Sequence, residues 1–246
     1  MLDRHPHIDV QEAEYTRLLG YPRHHVMTER ARELAHWARR WYAENGTPWI
    51  YAGRTEALCV SDEEFSIDGI AFSAERLRKQ LSDAQAHAVM LVAVSAGATC
   101  EEKARQLWQE EKPDEYFFLE VYCSAVVEHL ITTAGARFCA WADRKGVAIL
   151  PHYSPGYPEW DVAEQGRLLH LIRTQDDEGM PAEMQVLETG MLRPKKSLLA
   201  VFGITAQVER VQRLTDLVPC KSCPMQACQY RRRPYKYAHI ALEIQP

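Results

Sequence analysis

Ten consecutive residues, Pro151-His152-Tyr153-Ser154-Pro155-Gly156-Tyr157-Pro158-Glu159-Trp160, hold three prolines, a glycine and three large rings. Proline fixes φ near −65°, so this segment is a stiff, turned backbone. Gly156 admits a positive φ or a close backbone approach. Tyr153, Tyr157 and Trp160 on such a backbone suit a flat ligand, or else pack their own rings onto the core. His152 could act as a base, a ligand or a hydrogen-bond donor, or serve structure alone. Glu128 interrupts an apolar helical stretch, Ala125-Val126-Val127-Glu128-His129-Leu130. It faces either a pocket or a solvated helix stripe.

A second concentration lies near the C-terminus. Cys220, Cys223 and Cys228 form a C-x2-C-x4-C pattern. Two thiolates three apart can close on one metal, and a third approaches from the next turn. The spacing fits a [4Fe–4S] cluster with an open iron, or zinc with a fourth ligand such as His239. A redox-active C-x2-C pair or plain thiols are the alternatives. Arg231-Arg232-Arg233 and Tyr235-Lys236-Tyr237 follow as a basic patch able to dock an acidic partner. The other four cysteines, Cys59, Cys100, Cys123 and Cys139, read as small buried hydrophobes. No G-x-G-x-x-G, Walker A, H-E-x-x-H or G-x-S-x-G occurs, which removes the commonest dinucleotide, NTPase, zinc-protease and serine-hydrolase readings.

The whole composition narrows the class. The chain has 246 residues, 46% hydrophobic and 26% charged, the balance of a folded globule. A net charge of −5, from 29 basic and 34 acidic residues, argues against a general nucleic-acid binder. Seven cysteines, an odd number, and a polar N-terminus without signal-peptide character predict a cytoplasmic protein without a disulfide framework. No apolar run reaches 18 residues, so no membrane span is expected.

The elements that must position these residues follow from periodicity. Residues 28–44 read as an amphipathic helix stopped at Asn45-Gly46. Pro48–Tyr51 and Ala57–Val60 read as short strands split by Gly53-Arg54-Thr55, and 74–81 as a short helix. The run 88–94, AVMLVAV, reads as a strand buried on both faces. Thr99 and Glu102 form a capping-box pattern for a helix to about Glu111. Pro113 starts a long helix over roughly 114–144, with Phe117, Val121, Ala125, Leu130, Ala134, Phe138 and Trp141 on its apolar face. Val147–Leu150 is a short strand. Asp161 and Glu164 form a second capping-box pattern for a helix to Thr174. Met184–Glu188 and Leu198–Ile204 read as a hairpin around Arg193-Pro194-Lys195-Lys196, and 206–216 as a last helix. Strands and helices mix without a strict βαβ repeat, so the expected class is α+β, with a mixed or antiparallel sheet and flanking helices. The expected organisation is one domain over 1–216 and a cysteine-rich appendage over 217–246.

The stretch from Ala88 to Thr205 resembles the reactivation, S-adenosylmethionine-binding domain of cobalamin-dependent methionine synthase, more closely in its free-standing form. The matching pieces are AVMLVAVSAG, DEYFFLEVYCSAVVEHL, YSPGYPEW and Leu192-Arg193-Pro194-Lys195-Lys196-Ser197 leading into AVFGIT. The opening LLGYPRHHVMTERARELAHWARRW, the terminal cysteines and the trailing arginines extend the likeness over most of the chain. Pro155-Gly156-Tyr157-Pro158 is its one sharp motif. The resemblance implies the fold of that domain and a role in reductive reactivation of a corrinoid-dependent methyltransferase, in particular a split methionine synthase. It implies S-adenosylmethionine as methyl donor and cobalamin presented by a cobalamin-binding methyltransferase partner. It also implies a flavodoxin- or ferredoxin-type electron donor. By the same resemblance, Glu128, His152, Ser154, Pro155, Gly156 and Tyr157 would line the cofactor site, with no acid, base or nucleophile of the chain's own. His152 stands where the family motif has an arginine. Imidazole cannot grip a carboxylate with two parallel hydrogen bonds as guanidinium does.

Overall fold

The computed structural model describes residues 1–21, 26–175, 179–181 and 184–211. Strand β1 is Leu2–Asp3, followed by helices α1 (Glu12–Leu18) and α2 (Glu29–Asn45). Strands β2 (Trp49–Thr55), β3 (Leu58–Val60), β4 (Phe65–Ile67) and β5 (Ile70–Phe72) lead to α3 (Glu75–Asp83) and β6 (Ala88–Ser95). Helices α4 (Ala98–Gln109) and α5 (Pro113–Lys145) precede β7 (Ala148–Ile149), a 3-10 turn at Val162–Glu164 and α6 (Gln165–Thr174). Strands β8 (Gln185–Val186), β9 (Leu192–Arg193) and β10 (Ser197–Thr205) complete the described order, with a 3-10 turn at Val208–Arg210.

The main sheet is β1-β2-β6-β10-β7, antiparallel throughout, so the expected α+β class holds. All eight residues of β6 are buried, because it is the middle strand and both faces are covered. Its side chains alternate between two cores, as the strand period of two demands. Ala88, Met90, Val92 and Val94 join a core built from α2, α4 and α5. Val89, Leu91 and Ala93 join a second core with Phe65, Phe72, Leu77, Leu168 and Ile172 from the β3–β5 meander, α3 and α6. Each buried Val or Leu there contributes roughly 1.5–3 kcal/mol relative to exposure.

The helices follow their local signals. Thr28 Oγ1 accepts the Ala31 N–H at 3.2 Å and starts α2, whose buried Ala31, Leu34, Ala35, Ala38 and Tyr42 form one stripe. α5 has Pro113 in its first turn, Asp114 and Glu115 at its N-terminus, and Arg144 and Lys145 at its C-terminus. Those charges complement the helix dipole, and Gly146 closes the helix at φ 67°. α5 is long and apolar enough to cross a membrane by length and composition, against the sequence expectation. Of its most apolar stretch, 56% is buried inside the fold, the pattern of a core helix.

Several expectations are corrected. β2 runs through Gly53-Arg54-Thr55 to Thr55, because β6 pairs with it along its whole length and the Arg54 guanidinium lies over the Trp141 ring at 5.4 Å. The expected hairpin is absent among the described residues: β8 pairs with β9, and β10 pairs with the distant β6 and β7. Thr99 does not cap α4; the cap is Gly97 at φ 92°, and Thr99 Oγ1 instead lies 3.5 Å from Thr47 Oγ1. Phe117 is exposed, and Phe118, Leu119 and Tyr122 take the core face of α5 in its place. Cys59 is exposed on β3 and Cys139 is half-buried, while Cys100 and Cys123 are buried as expected. Of the expected 206–216 helix, residues 206–211 hold only the 3-10 turn at Val208–Arg210; 212–216 and all of the 217–246 appendage lie outside the described residues.

Candidate functional site

The 151–160 segment leaves β7 at the sheet edge and stays tied to it. Leu150 N–H donates to Gly203 O at 2.8 Å, and Tyr153 and Val201 exchange two backbone bonds at 2.9 Å. Beyond Tyr153 the chain closes a tight loop, with Gly156 N–H to Trp160 O at 2.8 Å and Tyr157 N–H to Ser154 O at 3.0 Å. Gly156 sits at the exposed tip with φ 90°, where a side chain would be strained. An added Cβ there would meet only Val162, at 3.9 Å, so its exposed side is open.

The three rings do not share one surface. Tyr153 and Trp160 turn inward, nearly parallel with centroids 6.3 Å apart, and pack with the Phe65 and Phe72 rings. Each also satisfies its polar end. Tyr153 Oη donates to Pro158 O at 2.6 Å, and Trp160 Nε1 donates to Glu164 Oε2 at 2.8 Å. The expectation of three rings offered to a flat ligand is therefore corrected: Tyr157 alone of the three is half-buried rather than buried, beside Gly156. The segment between β7 and α6 is short, and the second core lies directly beneath it, so two of its rings are drawn into that core.

His152 and Tyr157 form the polar pair of the loop, with His152 Nε2 and Tyr157 Oη 3.1 Å apart. The imidazole also lies 5.5 Å from the Phe202 ring, over β10. Burial lowers the His152 pKa to about 4, so the ring is neutral near pH 7. Burial also raises the Tyr157 phenol above its ordinary value, and the Glu128 charge adds to that shift. The α5 residue Glu128 thus reaches the loop through its field, while its backbone carbonyl accepts from Thr132. The Ser154 hydroxyl is fully buried without a hydrogen bond of good geometry among the described residues. It lies near enough to the phenol to oppose the shift slightly. Pro155 is buried beneath the tip.

The structure thus brings His152, Ser154, Pro155, Gly156 and Tyr157 into one loop, with Glu128 in electrostatic reach. Cys220, Cys223 and Cys228 lie outside the described residues. Among the described residues, no group of three or more His, Cys, Asp or Glu side chains is placed to hold a metal ion. Sequence reasoning missed Arg76 on α3, whose guanidinium lies 6.0 Å over the Tyr153 ring. One of two arginines on a short polar helix carries no pattern that would single it out. It also read Glu164 as half of a capping box. Asp161 does cap, accepting from Ala163 N–H at 2.9 Å, but Glu164 turns away to hold Trp160 and the Ser73 N–H.

An antiparallel sheet between a helical layer and a layer of meander and helices, with a proline-stiffened loop on its edge, defines an α+β fold. Among solved structures, the reactivation domain of MetH bound to AdoHcy has this fold, with a TM-score of 0.53 and 12% identity. The likeness covers 74% of this chain and 69% of that one. No family model matches the chain, and no curated protein matches it.

Proposed function

We propose that this chain is a reactivation component for a corrinoid-dependent methyltransferase, in particular a split methionine synthase. In this reading it caps the cobalamin of a partner protein with its 152–157 loop. S-adenosylmethionine supplies the methyl group, and a flavodoxin- or ferredoxin-type protein supplies one electron. The observation that carries the reading is the likeness in fold to the MetH reactivation domain, which holds AdoHcy. The loop supports it, because Gly156 presents open backbone at the tip and Tyr157 is half-buried beside it.

The chain's own part is positioning rather than acid–base chemistry. The loop is held at both ends by the sheet and by Glu164, so its tip is set before a partner arrives. His152 holds the Tyr157 phenol in place. Neutral and half-buried, it supplies no charge to a carboxylate. The methyl donor's amino-acid end is therefore left without the grip an arginine would give, and its binding rests on the backbone of the loop and on shape.

Calorimetry with AdoHcy, and recovery of an oxidised cobalamin protein in a reconstituted assay, test this. AdoHcy is expected to bind, and Tyr157→Ala is expected to slow recovery by about tenfold, the scale of one lost positioning contact. No AdoHcy binding together with unchanged recovery in the variant would remove the reading.

A further inference from the structure

Two clefts adjoin one indole at the junction of α4 and α5. One, of about 420 Å³, is lined by Trp108, Glu111 and Pro113. The other, of about 350 Å³, is lined by Glu101, Ala104, Arg105, Trp108, Tyr116 and Lys195. Trp108 between them is 65% exposed, although its ring packs edge-on to Tyr116 at 5.2 Å. Phe117, one helical turn from Pro113, is 48% exposed. Large rings held open to water beside concave surface mark interaction sites more often than single exposed apolar residues do.

The charge around the second cleft is unbalanced. Arg105 and Arg193 share one carboxylate, Glu101, at 3.8 and 3.5 Å. Lys195 and Lys196 share another, Glu120, at 2.7 and 3.2 Å. Four cations meet two carboxylates, on a chain whose net charge is −5. Both guanidiniums are more than half exposed and keep N–H groups for a further acceptor. In the first cleft, Glu111 adds a negative charge beside the apolar Pro113.

We propose that this surface docks an acidic segment of another polypeptide. An apolar side chain of the partner sits beside Trp108, and its carboxylates meet Arg105, Arg193 and Lys195. Tryptophan and arginine together are the residues that most often dominate interface energetics. Spaced carboxylates fit better than a phosphodiester chain, because Glu101, Glu111 and Glu120 would repel unbroken negative charge. The surface is separate from the 152–157 loop. From Glu120 to Glu128 the rise is roughly 12 Å along α5, and Lys195 lies at the opposite end of β10 from the strand's contact with His152.

Fluorescence anisotropy on the full chain tests this, with no methyl donor or corrinoid present, so that its outcome is independent of the loop reading. The probe is a labelled peptide repeating Glu-Glu-Phe-Glu-Glu-Leu. Its lysine counterpart and a labelled single-stranded oligonucleotide serve as controls. The acidic peptide is expected to bind and to weaken as salt rises. Trp108→Ala and Arg105→Glu, each checked for folding by circular dichroism, are expected to reduce its affinity at least tenfold. Three results overturn the proposal: no binding of the acidic peptide, binding unchanged in both variants, or oligonucleotide binding that is lost in the same variants.

Discussion

His152 shows how one side chain can be readable by type and misleading by environment. A histidine at a strand end invites a catalytic or cationic role. Here the ring lies between Tyr157 and Phe202, and burial lowers its pKa to about 4 against an ordinary 6.5. Between those values the unfolded chain takes up a proton that the folded chain refuses. The stability this residue holds above pH 6.5 is therefore lost as pH falls toward 4, by on the order of 2–3 kcal/mol. Thermal midpoints from pH 8 to pH 4 should fall more steeply for the native chain than for His152→Gln, with the gap opening below pH 6.5. Parallel curves would mean that the imidazole titrates as if in water. The residue type and its place before Pro155-Gly156-Tyr157 were legible in the sequence. Its neutrality was not, because Phe202 is fifty residues away.

At the level of elements, the loop keeps its shape because Glu164 ties three segments together. Its carboxylate accepts from Trp160 Nε1 at 2.8 Å and from Ser73 N–H at 3.1 Å, and Arg167 lies 3.2 Å away. Replacing it with alanine leaves the buried Trp160 N–H unpaired and frees the partly exposed Ser73 N–H, which costs about 1–3 kcal/mol. Chemical denaturation of Glu164→Ala should show that loss. Glu164→Gln, which keeps an acceptor, should lose clearly less, and equal losses would mean that the carboxylate acts by volume alone. The sequence marked Asp161 and Glu164 by their spacing but could not show the choice Glu164 makes, since the indole outcompetes the nearby backbone amide. The same limit explains the lost hairpin. Met184–Glu188 and Leu198–Ile204 look local in sequence, yet β10 gains more from eight paired positions along β6 than from a short turn. It also explains β2, whose polar C-terminal end is tolerated because β6 supplies the ladder from one side.

The described residues are built around one five-stranded sheet with a core on each face, and β6 and β10 belong to both. AVMLVAV was legible as a strand covered on two sides, but the division of its residues between the cores depends on what each face meets. One path of rings joins the helical layer to the loop. Phe138 of α5 packs edge-on to Phe202 at 5.2 Å, Phe202 lies 5.5 Å from His152, and His152 bonds Tyr157 on the loop. The helical layer and the loop therefore share a strand and cannot loosen independently. Phe138→Ala should cost about 3–5 kcal/mol, the scale of a large ring lost from a packed interior. Because β10 carries the loss across the sheet, far-ultraviolet circular dichroism and tryptophan fluorescence should still report one coincident unfolding transition in the variant. If the helical signal moved at lower denaturant than fluorescence, the two cores would be separate folding units. The loop's geometry would then have to come from the second core alone, without support from α5.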